Sequence, residues 1–197
     1  MTRYNAEISA GSLLPLESRR IATLLLTNPD PAAWLHAIEV ENILQKKTPA
    51  TARRQARLLQ RRLTTLEAQA WQMIAERESE VATQLLLAAA VKHSQLLGDF
   101  MLRVYADRQR RLEPSIGPTD WQDFLAECAH HDLTVTGWSA STKVKLFQVI
   151  VRILVEAKYL ENSRSMKLTP PALHPEVRRY LRSHDETYAL DCLERVK

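Results

Sequence analysis

The residues of this chain best suited to act on a partner lie between Lys46 and Arg62, KKTPATARRQARLLQRR, where seven basic residues stand without one acid. Thr48 can cap the open N–H groups of a helix start, and Pro49 suits the first helical position because it has no N–H to leave unpaired. Thr51 is a second possible cap one turn later. At helical spacing Ala52, Ala56, Leu59 and Leu63 fall on one stripe, while Arg53, Arg54, Arg57 and Arg61 fall on another. One side of such a helix can bury while the other presents guanidinium forks, which suit phosphate and carboxylate groups. A solvated helix also carries arginines, but usually among acids, because Glu–Arg pairs stabilise a helix by themselves. Here the stripe repels itself until a counter-charge arrives, and a polyanion supplies one most simply.

Other chemistry finds little footing. Four glycines can hardly form a phosphate-cradling loop. Cys128, His130 and His131 lie close together, but no second pair at zinc spacing accompanies them, so a histidine pair at a helix end is the simpler reading. The acids are scattered over helix faces rather than paired as in a hydrolase or a di-metal bundle. No enzyme activity, metal, cofactor or small-molecule substrate is therefore expected.

The elements that must position the arginines are helical. Few glycines, abundant Leu and Ala and few β-branched runs in 197 residues predict an all-α bundle. Residues 1–14 read as an extended arm. A helix is expected from Pro15 to about Thr27, then a second opened by Asp30 and Pro31 with Trp34, Ala37 and Ile38 apolar, then the arginine helix to Leu63. Three short helices in this order, the third basic, match a helix-turn-helix unit. Thr65 would cap a fourth helix running through Ala75. Val81 to Val91 is apolar on nearly every side, as a helix surrounded by others must be. Gly98 would kink or end it, and a further helix runs to Leu112.

Residues 113–118, EPSIGP, form the best linker between a region 1–112 and a region 119–197. Thr119 begins the next helix, with Gln122 at capping-box spacing, and Ser139 or Ser141 caps a long one reaching about Lys158. Alternation around Lys158–Glu161 and Ser165–Leu168 suggests a small β wing near 159–168 after a second helix-turn-helix, a plain loop being the alternative. Glu176–Ser183 and Glu186–Val196 close the chain. The apolar runs Leu85–Val91 and Leu146–Val155 are too short to span a bilayer. MTRYNAEIS lacks the apolar core of a signal peptide, and two cysteines fit reduced thiols, so a cytoplasmic protein without membrane contact is expected.

Five stretches carry a resemblance over nearly the whole length: AGSLLPLESRRIATLLL (Ala10–Leu26), ENILQKKTPATARRQARLL (Glu41–Leu59), LLLAAAVKHSQLLGDFM (Leu85–Met101), DWQDFLAECA (Asp120–Ala129) and RSMKLTPPALHPEVRRYL (Arg164–Leu181). Through them the chain resembles the BrxA family of bacterial BREX phage-exclusion systems. The resemblance implies a DNA-binding accessory protein with helix-turn-helix units, acting beside other BREX proteins that carry the chemistry. Charge and spacing supply the candidate contacts with double-stranded DNA. Arg53, Arg54, Arg57 and Arg61 would face the groove or its phosphates, Lys46 and Lys47 would anchor the turn, and Thr48 or Thr51 would bond a phosphate at the helix start. Lys143, Lys145, Arg152, Arg164 and Lys167 form a second candidate set. A helical adaptor docking its basic face on an acidic subunit, or an RNA-binding protein, would use the same charges.

Overall fold

The helix Ser79–His93 has almost no side left for water: Val81, Ala82 and every residue from 84 to 91 are buried. Such a helix has to be enclosed by others, and the order of elements in this computed structural model, which describes residues 3–194, follows from that need. The helices are α1 (Pro15–Leu26), α2 (Pro31–Leu35), α3 (Pro49–Leu63), α4 (Ala68–Glu76), α5 (Ser79–His93), α6 (Gln95–Phe100), α7 (Ala106–Arg110), α8 (Pro118–His131), α9 (Ala140–Glu156), α10 (Pro175–Ser183) and α11 (Thr187–Glu194). Single π-helical turns prolong α2 (His36–Val40) and α6 (Met101–Tyr105). The fold is all-α, as expected. α1, α3, α4, α6, α10 and α11 all pack on α5. One apolar cluster runs through the described chain from Tyr4 to Leu193.

α6, α8 and α9 meet in an aromatic cluster. Phe100 stands edge-on to Trp121 and Phe124 at 5.7 and 5.4 Å, and Trp121 stacks on Phe147 at 5.6 Å. Such pairs hold position as well as bury area. Tyr105 donates to the Tyr159 carbonyl at 2.6 Å, and Tyr159 donates to that of Leu193 at 3.0 Å, tying the end of α11 to the centre.

Several boundaries differ from the sequence reading, each for a local reason. The break after α5 is at Ser94, whose backbone is extended (φ −127°), and the chain turns there by 107°. Gly98 lies inside α6 because a Cβ at that position would overlap the Tyr188 hydroxyl. α4 begins at Ala68, not after Thr65, whose hydroxyl instead turns back to the Arg62 carbonyl at 2.7 Å. Gly117, not Thr119, caps α8, and the reciprocal carboxylate is Asp120, which accepts the Gly117 N–H at 2.7 Å, rather than Gln122. α9 ends at Glu156. The expected last helix is found from Thr187 to Glu194, and its predicted end at Val196 lies outside the described residues.

The N-terminal stretch is the largest correction, because it is a packed structural piece rather than an extended arm. A 3₁₀ turn forms over Glu7–Ala10, and Tyr4, Ile8 and Leu13 are buried. Asp132 accepts the N–H groups of Arg3 and Tyr4 at 2.7 and 2.8 Å. Asp99 accepts from the Arg3 guanidinium at 2.6 Å, the Tyr4 hydroxyl at 2.7 Å and the Tyr188 hydroxyl at 3.0 Å. Burial raises the pKa of both phenols, which keeps them protonated as donors.

The wing exists as paired backbone without reaching strand length. Leu160 faces Leu168 and Ser115 faces Lys167 in isolated antiparallel bridges. Thr169 N–H donates to Tyr159 and Leu168 N–H to Pro114, each at 2.9 Å, so the 166–169 segment lies between the other two.

Gly98→Ala is expected to cost about 1–3 kcal/mol by overpacking and much less in a Tyr188→Ala background, as read by thermal melts of the four-member cycle. Hydrogen bonds from Thr134 and from the Tyr4 and Arg3 N–H groups hold the Asp132 carboxyl far below the usual carboxylate range. A depressed carboxyl stabilises the fold above its unfolded pKa, and that contribution fades as pH falls below about 4. Asp132→Asn should therefore flatten the acid limb of the urea midpoint against pH.

Candidate nucleic-acid interface

The arginine helix starts where its cap chemistry places it. Thr48 is extended (φ −135°, ψ 143°) and its hydroxyl accepts the Thr51 N–H at 3.2 Å, so of the two candidate caps Thr48 serves. The turn before it is closed by Asn42, whose side chain accepts the Lys46 N–H at 2.9 Å and donates to the Lys46 carbonyl at 3.0 Å. Asn42 and Gln45 take left-handed φ values of 48° and 53°, which an asparagine tolerates better than most residues. Ala52, Ala56, Leu59 and Leu63 are at most 1% exposed, so the apolar stripe lies wholly in the core.

The four arginines of the opposite stripe are all exposed. They are not equivalent. Arg53 pairs with Glu39 at 2.9 Å, and Arg61 pairs with Glu7 at 3.1 Å. Among the described residues Arg54 and Arg57 have no carboxylate partner. The counter-charges thus come from the turn after α2 and from the N-terminal 3₁₀ turn, not from α3 itself. Exposed pairs of this kind contribute about 0–1 kcal/mol each, so a phosphate can replace either carboxylate cheaply. Lys46 is tied to Glu17 at 2.5 Å and half-buried, which makes it a brace between the turn and α1; Lys47 is exposed.

Arg62, part of the same basic run, points the other way and is 3% exposed. It donates to the carbonyls of Ser12 at 2.5 Å and Gly11 at 2.8 Å. Burial lowers its pKa to about 10, and it stays charged at neutral pH. Burial and the neighbouring Arg62 charge push the His93 pKa down, while Glu7 faces its Nε2 at 3.3 Å.

In the second set, Lys145, Arg152, Arg164 and Lys167 are exposed. Lys145, Gln148 and Arg152 recur at i, i+3 and i+7 on one face of α9. Ser139 caps that helix by accepting the Thr142 N–H at 3.1 Å. Arg164 sits at the wing tip, where Asn162 accepts the N–H groups of Arg164 and Ser165 at 2.9 and 2.8 Å. Lys143 is set apart from this strip. It borders an apolar groove with Trp121, Val144 and Phe147, and its carbonyl accepts the Trp121 indole N–H at 3.0 Å. Arg178, Arg179 and Arg182 on α10 form a third, smaller basic group, partly neutralised because Glu194 takes Arg178 at 2.6 Å and Arg182 at 3.8 Å.

Fold and surface together define an all-helical protein with an exposed arginine stripe on α3 and a smaller basic strip on α9. The BrxA family model matches residues 2–185, and the chain belongs to the BrxA family. A relative from Paramagnetospirillum magneticum described as BREX protein BrxA is 42% identical over 98% of this chain and 96% of its own length. A BREX protein BrxA from Escherichia coli O9:H4 is 33% identical over 95% of this chain and 88% of its own length. The crystal structure of an uncharacterized protein from Magnetospirillum magneticum superposes with a TM-score of 0.91 at 40% identity, covering 98% of this chain and 99% of that one.

Removing the Thr48 cap by Thr48→Ala is expected to cost about 1 kcal/mol. Thr48→Asp keeps a capping oxygen and should retain wild-type stability in urea unfolding.

Proposed function

We propose that this chain is a non-enzymatic DNA-binding component of a BREX phage-defence system, and that α3 meets the duplex through its outer face. The observation that carries this reading is a helix locked into the core along one side with four exposed guanidinium groups on the other, two of them without an acidic neighbour. Arg54 and Arg57 make the first phosphate contacts. Arg53 and Arg61 follow by leaving Glu39 and Glu7, and Lys47 and the start of α3 meet the backbone beside them.

The C-terminal half supports a second contact of the same kind. Helix, short extended segment, two helices and a hairpin follow one another, with the last hairpin segment pairing to both of the others. That is the order of a winged helix-turn-helix, in which α9 is the helix offered to the groove and Arg164 and Lys167 sit on the wing. The contacts are dominated by phosphate-seeking groups, so sequence preference should be weak and salt dependence strong. Membership of the BrxA family supports a role within a BREX system, and other BREX proteins are its proposed protein partners.

Fluorescence anisotropy with a 20-base-pair duplex tests the reading. Four phosphate contacts from α3 contribute about −4 to the slope of log affinity against log salt, and contacts from α9 steepen it further. Arg54→Ala with Arg57→Ala should weaken binding about tenfold and reduce the slope by about 2. Glu7→Gln with Glu39→Gln should strengthen binding, because both remaining arginines are then released. Unchanged affinity in the first variant, or equal loss to a same-length RNA competitor, would count against duplex DNA binding by α3.

A further inference from the structure

The two basic helices end on the same three residues. Arg62, in the last turn of α3, holds the carbonyls of Gly11 and Ser12; Glu156, the last residue of α9, accepts the Ser12 hydroxyl and the Leu13 N–H, both at 2.7 Å. Ser12 and Leu13 are 4% and 1% exposed. The 3₁₀ turn Glu7–Ala10 just before them packs on both helices. Gly11 passes close to α3, where an added Cβ would stand 3.1 Å from Leu58 Cδ2.

The dipole at a helix C-terminus favours the Arg62 cation and opposes the Glu156 carboxylate, and Arg62 is unusual only in being buried. Burying a guanidinium costs desolvation. Both side chains bond to the Gly11–Leu13 stretch, and the Glu156 charge favours the buried Arg62 guanidinium. In some proteins a buried polar or ionic group fixes a register that apolar packing alone leaves loose.

The network ties the C-terminal ends of the two helices that carry the basic faces to one stretch of chain. Arg61 is the chain neighbour of Arg62, and the arginine stripe runs back from it to Arg53. Arg152 lies one turn before Glu156, and Gln148 and Lys145 continue the same face. The α3 stripe is about 12 Å long and the α9 strip about 10 Å, and each begins within a turn of its helix's bond to Gly11–Leu13. We propose that α3 and α9 grip a single duplex together, with Arg62 and Glu156 as positioning residues that set the spacing of the two faces through Gly11–Leu13. This rests on the duplex-binding reading above and adds to it a joint footprint and a pair of residues that touch no DNA.

The same 20-base-pair duplex separates the outcomes, with folding of each variant checked by circular dichroism. Lys145→Ala with Arg152→Ala should weaken binding about tenfold and reduce the salt slope by about 2, and the complex should hold one protein per duplex. The decisive variant is Glu156→Gln. It removes a negative charge one turn from Arg152, so simple electrostatics predicts tighter binding, whereas a positioning role predicts binding several-fold weaker. Arg62→Lys keeps the charge but cannot span both carbonyls, and it should weaken binding in the same direction; Ser12→Ala provides the milder variant if either fails to fold. Unchanged or tighter binding by Glu156→Gln or Ser12→Ala, or one protein carrying two duplexes, overturns the joint grip. If instead the Arg54 and Arg57 changes leave affinity untouched, the duplex-binding reading itself fails.

Discussion

Everything in this fold follows from having to surround α5. A helix apolar on nearly every side can gain from burial only if neighbours cover all of it, and each neighbour can spare only one face for the purpose. α3 gives α5 and the adjoining core its Ala52, Ala56, Leu59 and Leu63 stripe. The stripe with Arg53, Arg54, Arg57 and Arg61 is thereby turned outward. The cationic surface is thus a geometric consequence of core packing, and it keeps its orientation as long as α5 stays enclosed.

The surface so formed is less positive at rest than the arginine count suggests. Glu39 and Glu7 neutralise its two ends, leaving Arg54 and Arg57 as the open middle. Weak exposed ion pairs suit this position. They relieve repulsion among the arginines in the free protein and give way to a stronger anion. Arg62 differs in kind. It is buried, held by two main-chain carbonyls, and committed to the architecture.

Local information in the chain was enough to find α3, to narrow its cap to Thr48 or Thr51 and to find its two stripes, because capping and helical periodicity depend on neighbours in sequence. It was also enough for the enclosed α5, while it left the α9 cap open between Ser139 and Ser141 and the stretch around 160–168 open between a wing and a plain loop. The failures share a cause. Glu7 and Glu39 reach α3 from other segments, and nothing in KKTPATARRQARLLQRR announces them. Arg62 falls between the two stripes on a helical wheel, and only the arrival of Gly11 and Ser12 decides that it turns inward. Gly98 looked like a helix breaker, but its role is set by Tyr188, ninety residues away in the chain. The N-terminal arm is short and polar enough to read as loose, yet Asp99 and Asp132 supply it with buried partners that no local pattern reveals.

The proposal for this protein therefore reduces to which guanidinium groups a duplex covers. Arginine-selective modification with phenylglyoxal, mapped residue by residue by mass spectrometry with and without duplex DNA, reads that directly. The account predicts that duplex protects Arg54 and Arg57 most strongly, protects Arg152 and Arg164 alongside them, and leaves Arg179 as reactive as before. Equal reactivity of Arg54 and Arg57 with and without duplex, or protection confined to the Arg178–Arg182 cluster, would contradict it.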